Sequence, residues 1–69
     1  MNNQRARVIM MTLRPGARVT VRARDGRTVT GRAREFKYPG SRSKLWACET
    51  RPGHLHPVTA ANLIRVAPP

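Results

Sequence analysis

Arginines and threonines hold one phase on both sides of a single Asp-Gly turn. Arg18, Thr20, Arg22 and Arg24 precede it; Thr28, Thr30, Arg32 and Arg34 follow it. A guanidinium is a planar fork that meets phosphate oxygens with two parallel hydrogen bonds, and a threonine hydroxyl can donate to the same oxygens. Side chains two residues apart on a strand stand roughly 7 Å from each other, close to the spacing of phosphates along a nucleic-acid strand. The chemistry these residues suit is the binding of a phosphate backbone.

A second group follows in Tyr38-Pro-Gly-Ser-Arg-Ser-Lys44, where Arg42 and Lys44 lie near an aromatic ring. Rings beside cations stack bases and clamp a backbone. Tyr38 opens the loop and is the stacking candidate. Trp46, the single tryptophan, is assigned to the core of so small a chain.

A third group holds Cys48, His54 and His56, with Glu49 near. A hairpin would bring Cys48 toward His54, but the spacing follows no strong zinc pattern. Nothing orients a histidine to activate the thiol. Paired carboxylates, a phosphate-cradling glycine loop and metalloprotease motifs are absent from the sequence. No catalytic residue, metal site or cofactor is expected.

These residues need a scaffold, and the alternation supplies one. In Arg18–Arg22 the valines at 19 and 21 face one way and the arginines the other, as in a half-buried strand. A two-residue loop at Asp25-Gly26 would set Val29 against Arg22 and mix the faces. A three-residue loop, Arg24-Asp25-Gly26, with Gly26 left-handed after a type I turn, keeps them apart. It predicts Val21 opposite Val29, Val19 opposite Gly31, Thr20 opposite Thr30 and Arg18 opposite Arg32. Slipping by one residue would exchange the faces.

Fourteen basic residues against three acidic ones give a formal charge of +11. Self-repulsion at this density favours a polyanionic partner. Twelve of the fourteen are arginine, which suits phosphate and also matches the bias of a GC-rich genome. With 69 residues the chain makes one small domain. One cysteine precludes an internal disulfide and fits a reducing, cytoplasmic setting. No apolar run is long enough to span a bilayer, and no secretory signal is visible.

Residues 1–7 read as a flexible basic arm, Val8–Leu13 as a first strand or cover, and 67–69 as a tail. The odd phase of Val29, Gly31 and Ala33 against the even phase of Phe36 predicts a bulge near Arg34-Glu35. Gly31 in mid-strand predicts a bend or a close backbone approach. Leu45–Thr50 and His54–Thr59 form a second hairpin, Thr59–Asn62 one helical turn capped by Thr59, and Leu63–Val66 a last strand.

The pattern Pro15-Gly-x-Arg-Val-x-Val, Asp25-Gly-Arg-x-Val-x-Gly31, a tryptophan strand, and Val58-x-Ala-Ala-Asn-Leu-Ile-Arg-Val66 resembles an SH3-like β-barrel. The superfold is shared by KOW, Tudor-like, ribosomal and integrase C-terminal domains, and the likeness covers roughly residues 14–66. It implies an all-β, five-stranded barrel over residues 8–66 with one 3-10 helical turn before the last strand. The aromatic cage of a methyl-lysine-reading Tudor domain is missing.

The expected function is nucleic-acid binding, DNA or RNA, through backbone contacts with little sequence specificity. Arg18, Arg22, Arg24, Arg32, Arg34, Tyr38, Arg42 and Lys44 would carry it, in a monomer or a homodimer. The competing class is an adaptor, or a phage-encoded inhibitor, docked on an acidic host protein. A ribosome-associated protein is a third.

Overall fold

The computed structural model describes residues 2–36, 40 and 45–67. Its elements run α1 (Asn3–Met11), β1 (Arg18–Arg22), β2 (Thr28–Phe36), β3 (Leu45–Arg51), β4 (His54–Val58) and β5 (Leu63–Ala67). The strands form one antiparallel sheet in the order β4-β3-β2-β1-β5.

The all-β SH3-like barrel is therefore overturned on two counts. Among the described residues the sheet is open, with β4 and β5 as its edges, and a nine-residue α-helix packs on it. The expected 3-10 helical turn is instead a hydrogen-bonded turn. There the Leu63 amide donates to Thr59 O at 3.0 Å and the Asn62 amide donates to Thr59 Oγ1 at 3.2 Å. Thr59 does cap this turn. The chain passes from one sheet edge to the other in these few residues, so the sheet curls without closing.

Residues 3–11, read as arm and strand, are α1. Asn2 caps the helix: its Oδ1 accepts from the Arg5 amide at 2.8 Å, and its carbonyl accepts from the Ala6 amide at 3.0 Å. Ala6 is buried, and Ile9 and Met10 pack against the same core. That is i, i+3, i+4 spacing, one face of a helix. Val8 and Met11 project to solvent, 59% and 85% exposed. The short run Val8–Leu13 reads as a strand because Val8–Met11 are consecutive apolar residues, whereas on the helix Ile9 and Met10 turn to the core and Val8 and Met11 turn to solvent.

The first hairpin has the register that separation of the faces demands. Arg18 lies opposite Arg32, Val19 opposite Gly31, Thr20 opposite Thr30 and Val21 opposite Val29. Its loop closes with the Gly26 amide donating to Ala23 O at 2.9 Å and the Ala23 amide donating to Arg27 O at 2.7 Å. Gly26 has φ +89°, left-handed as that turn requires. Asp25 Oδ1 accepts from the Arg27 amide at 3.0 Å and stiffens the loop.

β2 is the strand the sheet turns on. Its first half pairs with β1 and its second half with β3, with Arg32 shared by both ladders. The bulge expected at Arg34-Glu35 is absent: Arg32 to Phe36 pair continuously with Glu49 to Leu45. Curvature comes from Gly31. A Cβ there would run into the Glu49 carbonyl and lie 2.9 Å from the Thr50 amide nitrogen, so β3 crosses where only hydrogen fits. Beyond the crossing, the Cys48 thiol points at Val19 O, 3.7 Å away. The core beneath consists of Val19, Val21, Ala33, Cys48, Val58 and Leu63, closed by Ala6, Leu13 and Ala17. Trp46 is half-buried and packs on this core, as assigned.

Candidate nucleic-acid interface

The face of β1 and β2 opposite the valines carries the arginines. Arg18, Arg22, Arg32 and Arg34 are all exposed there. Between them, the Thr20 and Thr30 hydroxyls bond to each other at 2.9 Å. Thr20 is only 8% exposed, since its ladder neighbours Thr30 and Arg65 flank it on both sides. The hydroxyl pair satisfies a polar group that burial would otherwise penalise.

The eight residues expected to bind do not share one environment. Arg18 and Arg32 stand directly opposite each other at the centre. Arg22 sits at the end of β1, and its Nη1 donates to Gly26 O at 3.2 Å, bracing the hairpin loop. Arg24 lies in the turn rather than on the strand face. Arg34 is tied by Glu49, with Nη1 3.2 Å from Oε1. Tyr38, Arg42 and Lys44 lie outside the described residues.

Two further arginines join the set. Arg65 on β5 falls opposite Thr20, extending the row Thr30–Thr20–Arg65 across three strands. Arg51, just past a register shift in β3, meets Arg18 and Arg32 around a cleft of about 490 Å³. Neither follows from alternation within the first hairpin, because each depends on which strand pairs with which.

Carboxylates do little to neutralise this face. Among the described residues two ion pairs form, Arg34–Glu49 and Arg27–Asp25, the latter at 3.5 Å between exposed partners. Neither includes Arg18, Arg22, Arg24, Arg32, Arg51 or Arg65. Glu49 is held from both sides, because its Oε2 accepts from the Gly53 amide at 3.4 Å.

The cysteine and histidines are arranged differently from expectation. His56, not His54, lies opposite Cys48, and His54 lies opposite Arg51. Cys48 is fully buried, and that burial pushes its thiol above the ordinary 9.0. Such a thiol is a poor nucleophile at neutral pH. Among the described residues, no three of His, Cys, Asp and Glu come together as a metal site. No helix among them is long and apolar enough to cross a membrane. No protein-family model, curated protein or solved structure matches the chain.

Proposed function

We propose that the chain binds nucleic acid through phosphate contacts on the outer face of the β5-β1-β2 sheet, with little preference for sequence. The observation that carries this reading is the direct opposition of Arg18 and Arg32, both exposed and both outside the ion pairs. Like charges placed opposite each other cost a sheet stability. A bound polyanion offsets that cost. The formal +11 adds a long-range field that draws such a ligand in.

Arg18, Arg22, Arg32 and Arg65 would meet the backbone. Thr30, the exposed member of the Thr20–Thr30 pair, would contribute a hydroxyl hydrogen when Thr20 donates to it. Backbone contacts carry no base information, which fits weak sequence preference.

Fluorescence anisotropy with a labelled oligonucleotide tests this. Four phosphate contacts give a slope of about −3.6 in log K against log salt for duplex DNA, a loss of roughly a hundredfold between about 50 and 200 mM salt. Absence of binding to DNA and RNA at low salt removes the proposal. A second reading, docking on an acidic protein, draws support from the open edges β4 and β5, which offer unpaired backbone to an added strand. Binding to an acidic polypeptide as tight as to an oligonucleotide of equal charge favours that alternative.

A further inference from the structure

We infer that the cleft where β3 crosses β2 is a discrete phosphate subsite, and that Arg51 is its third guanidinium. This deepens the nucleic-acid reading and rests on it only for the identity of the larger ligand. The crossing at Gly31 and the register shift between Glu49 and Arg51 break the flat surface of the sheet. The break opens the cleft of about 490 Å³ lined by Arg18, Thr30, Arg32 and Arg51, with Glu49 also at its wall.

Three arginines converge from three strands, so their positions are fixed by the ladders rather than by a mobile loop. Glu49 would oppose an anion, but both of its oxygens are engaged, by Arg34 and by the Gly53 amide. Its charge is thus balanced by a fourth arginine. The Thr50 hydroxyl bonds to His54 O at 3.5 Å and is turned to β4. Thr30, which keeps its own hydrogen when Thr20 donates to it, is the hydroxyl that can donate to the ligand. Three planar forks around one concavity suit the tetrahedral oxygens of a phosphate, whether free or in a backbone. An ammonium could not reproduce that geometry.

The test uses the full, isotope-labelled chain titrated with inorganic phosphate in place of chloride at constant ionic strength. Amide shifts should saturate and concentrate at Gly31, Thr50 and Gly53. In parallel, oligonucleotide affinity is compared for Arg51→Gln, Arg51→Lys and, as a charge-matched control on α1, Arg5→Gln. A subsite predicts that Arg51→Gln weakens binding by about tenfold or more, that Arg51→Lys fails to restore it, and that Arg5→Gln costs no more than about threefold. Equal losses for Arg51→Gln and Arg5→Gln, or full affinity in Arg51→Lys, would overturn the subsite while leaving the nucleic-acid reading in place. Saturable phosphate shifts with no oligonucleotide binding would do the reverse. The amide spectrum of each variant reports directly whether it is folded.

Discussion

Arg34 Nη1 stands 3.2 Å from Glu49 Oε1, although the residue directly opposite Glu49 in the ladder is Arg32. The carboxylate reaches diagonally and leaves Arg32 outside the pair. On the proposed anion-binding face, Glu49 would act as an internal competitor that holds Arg34. Glu49→Gln removes one negative charge and frees Arg34. Oligonucleotide affinity should rise by about three- to tenfold at low salt, and the gain should shrink as salt screens it. Thermal stability should fall by no more than about 1 kcal/mol, since Arg34 is largely exposed. Unchanged affinity would separate Glu49 from the binding face.

Gly31 is the position where the fold has no slack. A methyl group there would overlap the Glu49 carbonyl, which belongs to backbone and cannot swing aside. Gly31→Ala should destabilise by about 2 kcal/mol or more, which for a domain of this size lowers Tm by roughly 8–16 °C. Thermal unfolding followed by circular dichroism gives the answer. A wild-type Tm would mean that β3 does not cross at this point.

Asn62 links the two sheet edges. Its Oδ1 accepts from the Thr59 amide at 2.8 Å, its Nδ2 donates to Pro57 O at 2.7 Å, and its carbonyl accepts from the Arg22 amide at 2.9 Å. Asn62→Ala keeps the last bond and deletes the first two. The expected loss is about 1–3 kcal/mol. Asn62→Asp keeps the acceptor but not the donor and should fall between alanine and wild type in denaturant titrations. If Asn62→Ala melts with the parent, the edges are held together by other means.

Cys48 gives the protein a defined response to alkali. Burial raises its thiol pKa above 9.0, so the unfolded state releases the proton first. The stability this thiol contributes is complete below pH 9 and declines as pH rises beyond it toward the folded-state value. Urea midpoints should drop more between pH 8.5 and 10 in wild type than in Cys48→Ala, taking about 9 as the pivot. The thiol should also stay inert to a disulfide reagent until the chain unfolds. Fast labelling of the native protein at neutral pH would contradict the burial.

The first hairpin was legible because three signals agreed. Valines alternate with arginines, Asp-Gly marks a turn, and only one register separates the faces. Gly31 likewise announced a close approach, though not which backbone would come near. The helix was hidden by Val8–Leu13, whose consecutive apolar residues satisfy a strand and a helix equally; the Asn2 cap and the Ala6–Ile9–Met10 spacing were the missed signals. The phase change after Ala33 predicts a bulge near Arg34-Glu35. Instead the pairing continues, and Glu35 keeps the inward phase at the sheet end beside Trp46, where it is exposed. Strand order was the least legible feature. Whether the curled five-stranded sheet closes depends on whether its edges β4 and β5, four residues apart in sequence, turn toward each other and pair, which their alternation does not encode. Arg65 reaches the arginine face through the β1–β5 ladder, and Arg51 through the β2–β3 ladder and the register shift beyond Glu49; both pairings are distant in sequence.

On the proposed reading the outer sheet face, rather than overall charge, holds the polyanion. This is tested most directly by comparing two doubly substituted chains of equal net charge: Arg18→Gln with Arg32→Gln on the sheet, and Arg5→Gln with Arg7→Gln on α1. The slope of log K against log salt for a labelled duplex should become shallower by about 1.8 in the sheet variant, two phosphate contacts at about 0.9 each. In the helix variant it should stay close to that of the parent. Identical slopes in the two variants would contradict the account and reduce the protein's affinity for polyanions to its net charge alone.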